Sequence, residues 1–386
     1  MSVGVETQMV PRYGAGALSD VVPSLLAALG VAGMVNVLGV PSARRACLLL
    51  VDGLGWELLR EHADAAPFLA SLAGDPITAG FPSTTATSIA ALGTGLTPGE
   101  HGVVGTTFVA GEDMVLNALS WSHHGAPSFT DLRDTLVPEE VQPHPTMFDR
   151  AAEAGLTVRV VAPHEQQRSG LSRAVLRGAP FAGVHAMGDL ASASLDALRS
   201  ADRVFCYSYH ADLDKLGHLY GPGTEPWRLQ LTYVDQLAAS IARGLPKDTL
   251  LAVVADHGMV TVGDEDRIDY DTTPSLSAGV RLLGGEPRIR HIHTEPGATD
   301  DVLAAWQHLL GDKAWFLRRD DAIAAGLFGP VVSARVRPRI GDLVMAAHGT
   351  AVVVRSVVEP VFARLLGQHG SLTTAEQSVP LLLHSS

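Results

Sequence analysis

The run Ala46-Cys47-Leu48-Leu49-Leu50-Val51-Asp52-Gly53-Leu54-Gly55 decides how this chain folds. Its apolar half does not alternate, so it suits a strand buried on both faces, the pattern of a parallel sheet sandwiched by helices. The run stops at a carboxylate followed by glycines. Open α/β sheets bind ligands beyond the carboxyl ends of their strands, so Asp52 is either a turn residue or a ligand. The same design recurs twice. Val204-Phe205-Cys206-Tyr207-Ser208-Tyr209 runs into a segment holding Asp214 and His218, and Leu250-Leu251-Ala252-Val253-Val254-Ala255 ends in Asp256-His257-Gly258. Asp214 and His218 lie four apart, the spacing of a shared metal or of an ordinary pair on a surface helix. Asp256 and His257 are costly to bury unpaired, and at the tip of an apolar strand they point to a metal site or a charge relay.

A second stretch, Gly80-Phe81-Pro82-Ser83-Thr84-Thr85-Ala86-Thr87-Ser88, passes from a hydroxyl cluster into a helix of small residues. Hydroxyls at a helix start are common N-caps, yet the same place favours an anion such as phosphate and suits a nucleophile. Further helices are expected at residues 18–29, 56–61, 67–73, 146–154 and 227–245, the last with Leu229, Tyr233, Leu237 and Ile241 in one row. Residues 157–161 read as a strand. Residues 102–142 are irregular and are expected to form a lid or wall, with His101 before them as a ligand or a brace. The expected organisation is a metal-binding α/β core, residues 1–265 and 339–386, with a smaller inserted α/β subdomain, residues 266–338.

Composition narrows the function. With 28 Lys and Arg against 41 Asp and Glu among 386 residues, the net charge of −13 argues against a nucleic-acid polymer surface or an anionic membrane as partner. An anionic substrate would have to be drawn in locally, as bound cations can do. Cys47 and Cys206 sit in apolar runs and read as buried free thiols. No signal peptide and no bilayer-spanning run is visible, so a soluble, cytoplasmic protein is expected. No feature indicates an oligomeric state.

Three Asp, three His (His369 in Gly367-Gln368-His369-Gly370 being the third) and a helix-start hydroxyl are the inventory of two N/O metal sites, for which zinc is well suited. Two such ions can clamp the attacking and leaving oxygens of a displacement at phosphorus. In order along the chain, Val51-Asp52-Gly53, Phe81-Pro82-Ser83-Thr84-Thr85, Asp214-Lys215-Leu216-Gly217-His218, Ala255-Asp256-His257-Gly258 and Gly367-Gln368-His369-Gly370 resemble the alkaline phosphatase superfamily, and within it the nucleotide pyrophosphatase/phosphodiesterase branch.

The resemblance implies two zinc ions, other divalent metals remaining open, one held by Asp214, His218 and His369 and the other by Asp52, Asp256 and His257, with Thr85 bridging toward the second. It implies a small-molecule phosphoester substrate, nucleotides included, and a covalent phosphothreonine on Thr85. Thr85 is chosen over Ser83 and Thr84 because it stands four residues after Phe81. It also implies that the residue at position 88, where the branch is expected to carry Asn, contacts a non-bridging phosphate oxygen; here that residue is Ser88. His348 competes with His369 as third ligand. A phosphonate hydrolase or a phosphomonoesterase on the same scaffold is the rival reading, with Arg168 or Arg173 as the cationic grip a monoester needs. A non-catalytic metal-binding relative is the other.

Overall fold

The quoted apolar run is the central strand of a seven-stranded sheet. The structure is a computed structural model and describes residues 8–111 and 113–386. In chain order the strands are β1 (Arg45–Val51), β2 (Ala73–Thr78), β3 (Thr157–Pro163), β4 (Phe181–Val184), β5 (Val204–His210) and β6 (Thr249–Val254) of the large sheet, then β7 (Val280–Glu286), β8 (Ile289–Thr294), β9 (Ala314–Arg318) and β10 (Leu343–Ala347) of a smaller one, and finally β11 (Ser378–Ser385), which returns to the large sheet. The large sheet has the order β2-β11-β6-β1-β5-β3-β4. β1 pairs parallel with β5 and β6, Leu48 lying opposite Tyr207 and Ala252. Only β11 is antiparallel, to β6 on one side and β2 on the other.

Helices α1 (Val21–Ala28), α2 (Thr85–Thr94), α3 (Met187–Arg199), α4 (Asp212–Tyr220) and α5 (Glu225–Gly244) belong to this large α/β unit. Every residue of β5 and β6 is buried, as a strand covered on both faces must be. Two strands escape the sequence pattern, and both lie at sheet edges. β2 reads Ala-Gly-Asp-Pro-Ile-Thr, which looks like a turn; its Pro76 is tolerated because an edge strand needs ladder bonds on one side only. In α5 the expected row splits, with Leu237 and Ile241 buried but Leu229 and Tyr233 half exposed. Each step of four residues overshoots a full turn by about 40°, so a four-residue row drifts off the buried face.

The small sheet is antiparallel, in the order β7-β8-β10-β9, and α6 (Thr299–Leu310) packs Val302, Trp306 and Leu310 into its core. Past residue 338, where the insertion is expected to end, β10 still pairs with β8, and Val352–Val354 pairs with Arg267–Asp269. The subdomain is anchored to the core through Ile289, Phe328 and Val344 and through two fully buried ion pairs, Arg288 with Glu376 and Arg290 with Glu359. Within residues 102–142, three short antiparallel strands, Thr107–Val109, Val115–Asn117 and Ser122–His123, form a wall beside the site. Cys47 and Cys206 face each other in register as buried free thiols. No described helix is long and apolar enough to cross a membrane.

Candidate active site

The carboxyl ends of the three central strands supply the site. Asp52 follows β1, Asp256 and His257 follow β6, and β5 leads into α4, which presents Asp214 and His218. Gly53 has φ 75°, and a Cβ there would stand 2.9 Å from the Cβ of Asp214, so only glycine lets these two tips close together. His369 comes from the far end of the chain, just after Gly367–Gln368, which pairs with Val260–Thr261.

The hydroxyls at the start of α2 have different partners. Ser83 donates to the carbonyl of Ser371 at 2.8 Å, and Thr84 shares a hydrogen bond with the Thr106 hydroxyl at 2.8 Å. Thr85, the first residue of α2, has its Oγ1 3.2 Å from His257 Nε2 and 3.5 Å from Asp52 Oδ1. Of the three, Thr85 alone faces the strand-tip ligands.

Two groups of candidate metal ligands result, Asp52 with Asp256 and His257, and Asp214 with His257 and His369, each offering ligand atoms within 4.8 Å of one another. His218 joins the second group through its Nε2, 3.3 Å from Asp214 Oδ2. The hydrogen bonds around them fit a cation. Nδ1 of His218, His257 and His369 lies 2.7, 2.9 and 3.0 Å from the carbonyls of Gly367, Gly258 and Ser83. A carbonyl only accepts, so each Nδ1 carries a proton and each Nε2 is the nitrogen left to face a metal, His257 giving up its second proton when one binds. Asp214 Oδ1 and Asp256 Oδ2 are buried without a hydrogen-bond partner, an arrangement that a bound cation would satisfy. Tyr209 donates its hydroxyl to Asp52 Oδ2 and leaves Oδ1 facing Thr85 and His257.

Residues 46–372 match the family model described as type I phosphodiesterase/nucleotide pyrophosphatase. The chain belongs to that family. The solved structure of murine ectonucleotide pyrophosphatase/phosphodiesterase 5 shares its fold, with a TM-score of 0.67, 16% identity, and coverage of 89% of this chain and 88% of that one. Phosphonoacetate hydrolase from Sinorhizobium meliloti 1021, solved with phosphonoacetate, is similar at a TM-score of 0.64 and 18% identity, covering 89% and 91%. Both share the expected fold, a mostly parallel α/β sheet flanked by helices. A stretch of 52 residues is also 40% identical to human GPI ethanolamine phosphate transferase 3, catalytic subunit, spanning 14% of this chain and 5% of that protein.

In this phosphodiesterase-family site the buried charges are strongly coupled. Burial, reinforced by Asp52 alongside, pushes Asp256 up to about 8. Burial works against a charged His257, but the neighbouring Asp256 and Asp52 outweigh it and raise its pKa to about 10. Burial raises Asp214, and burial with His257 and His218 nearby drives His369 well below its ordinary value. The Asp256–His257 pair thus holds protons in the folded, metal-free protein that the unfolded chain gives up. A carboxylate raised in the folded state loses stability as pH rises toward its folded pKa, and a raised histidine does the same. The buried neutral imidazoles of His101, His291 and His293 act oppositely, but only below their unfolded value near neutrality. Between about pH 7 and about pH 9 the metal-free protein should therefore lose stability, and zinc should restore more of it at the higher pH. Urea unfolding with chelator and with zinc reads this directly; a metal-free midpoint that rises with pH would contradict it.

Several sequence expectations change at the site. Ser88 does not reach the pocket: it is fully buried and donates to the carbonyl of Asp256 at 2.8 Å, holding that strand tip from below. It lies one turn down the helix from Thr85, about 4.5 Å along the axis. His348 packs on Trp315 in the small subdomain, and His101 accepts from the Val103 N–H as a brace. Arg173 makes a bidentate pair with Glu139, Arg168 is exposed, and neither lines the pocket. Sequence reading passed over three residues here. Tyr209 is one, Thr106 another, and the third is Glu286, which comes from β7 and reaches the pocket of about 370 Å³ beside Thr84 and Thr85. Burial, opposed by hydrogen bonds from Thr106, pushes Glu286 up to about 6. Nothing in the sequence marks these residues, because contacts between distant segments give them their place.

Proposed function

We propose that the chain is a two-metal phosphodiesterase of the nucleotide pyrophosphatase type, acting through a covalent phosphothreonine on Thr85. The observation that carries this reading is the meeting of Thr85 Oγ1, at the start of α2, with Asp52 and His257 beside two clusters of buried ligands. Asp214, His218 and His369 are assigned to one zinc ion, and Asp52, Asp256 and His257 to the other. Bound there, the cations would lower the pKa of the Thr85 hydroxyl and neutralise charge on the phosphoryl oxygens. Thr85 Oγ1 attacks phosphorus as the ester oxygen departs from the opposite side, and water then attacks the phosphothreonine and frees the hydroxyl. The N-terminus of α2 adds its partial positive charge near the same phosphoryl group.

Diesters are favoured over monoesters because, among the described residues, Lys215 is the one Lys or Arg lining the pocket, and it is exposed rather than turned to grip an anion from within. An inactive threonine-to-alanine variant of the murine relative binds AMP, which supports a nucleotide-sized ester and a working threonine. The test is turnover of a diester, a monoester and a phosphonate by one zinc-loaded preparation, together with metal analysis. The expected result is diester preference with about two ions per chain. A monoester preference overturns the substrate assignment, and fewer than about two ions per loaded chain contradicts the double site.

A further inference from the structure

Glu286 ends β7, and its side chain is buried in the phosphoester pocket. Oε2 accepts the Thr106 N–H at 3.1 Å and lies 3.4 Å from Thr84 Oγ1. Oε1 is buried and has no hydrogen-bond partner. It sits against the turn after His369, where a Cβ on Gly370 would come within 3.2 Å of it. The two buried guanidiniums that follow it along the chain are both spent, Arg288 on Glu376 and the Ala351 carbonyl, Arg290 on Glu359 and the Val353 carbonyl. A buried carboxylate with one oxygen satisfied and the other left open costs stability, so a role in maintaining the fold does not account for it.

Resting on the phosphodiesterase reading above, we propose that Glu286 is a specificity-determining residue that selects monoanionic phosphodiesters against dianionic phosphomonoesters. The residue stands beside the nucleophile turn, close to where the phosphoryl group must lie for Thr85 to attack it. A monoester brings a second negative charge to that place, and the buried Glu286 carboxylate repels it. A diester carries an ester group there instead, and Leu119, Leu219 and Val361, all exposed along the pocket, give that group an apolar wall to lie on.

Glu286→Gln tests this without disturbing the turn. The amide oxygen still accepts from the Thr106 N–H, while the unpartnered oxygen becomes an N–H donor. With a monoester and a methyl diester sharing one aryl leaving group, the zinc-loaded variant should raise kcat/KM for the monoester by about tenfold or more and change the diester by less than about threefold. Calorimetric titration with inorganic phosphate should show tightening of the same order. Glu286→Asp, which keeps the charge, should stay closer to the unmodified protein than to the Gln variant. A parallel fall for both esters, or an unchanged ratio with unchanged phosphate affinity, overturns the proposal. If that happens while diester turnover still depends on Thr85, the assignment of Glu286 alone has failed. Diester turnover that survives Thr85→Ala overturns the proposed function, and the Glu286 assignment with it.

Discussion

Thr85→Ala should lower phosphodiester turnover by about ten-thousand-fold or more and leave metal content and folding nearly unchanged. The expected loss is large because Thr85 is assigned the only covalent step. The expected structural cost is small for two reasons. Thr85 occupies the first position of α2, where Ala is at least as good a helix former, and its hydroxyl makes only long contacts, of 3.2 and 3.5 Å, to His257 and Asp52. The comparison that gives the result meaning is Thr84→Val. Thr84 faces Thr106 and Glu286 rather than the ligand clusters, so this variant should keep turnover within about tenfold. Turnover, metal content and thermal unfolding on the two variants check the assignment, and a reversal of their order would move the nucleophile to Thr84.

His257→Ala should have the widest effect of any single change at the site. His257 belongs to both ligand groups, and its ring stacks on His369 at 3.5 Å between centroids with planes 14° apart. Its Nε2 lies 3.4 Å from Asp52 and 3.5 Å from Asp256, so in metal-free protein it is the positive partner of two buried carboxylates. Removing it should abolish turnover, weaken zinc binding by at least about a hundredfold, and destabilise the metal-free protein by about 3 kcal/mol. Asp256→Asn separates the two effects. It should also lose zinc and activity, yet it removes one of two crowded carboxylates and should leave the metal-free protein at least as stable as before. Denaturant unfolding with chelator measures the contrast. Destabilisation of equal size in both variants would mean that the cluster is held by packing rather than by charge.

How far the chain could be read in advance follows from where each residue sits. The central strands β1, β5 and β6 were legible because burial on both faces leaves an unbroken apolar run, and Asp52 and Asp256 stand out as candidates because a carboxylate follows such a run. The edge strands β2 and β4 were not, since a strand paired on one side can hold Gly, Asp and Pro. The pairing of β10 with β8 and β9 is non-local, so no stretch of sequence displays it. At the site, Asp52, Asp214, His218, Asp256, His257 and His369 are brought together from segments more than three hundred residues apart. The place of Ser88 on its helix is readable from spacing, but its depth, one turn beneath Thr85, is set by packing that spacing does not display. Glu286 carries no motif, and only the docking of β7 against Thr84 and Thr106 brings it to the pocket.

Acid-quench trapping during diester turnover tests the central claim most directly. Zinc-loaded protein mixed with a fast-leaving methyl aryl diester, quenched and digested, should yield one peptide heavier by the methylphosphoryl group that remains once the aryloxide has left, with fragmentation placing the modification on Thr85. The same modification on Thr84, or its absence from the nucleophile turn while turnover is under way, would contradict the account.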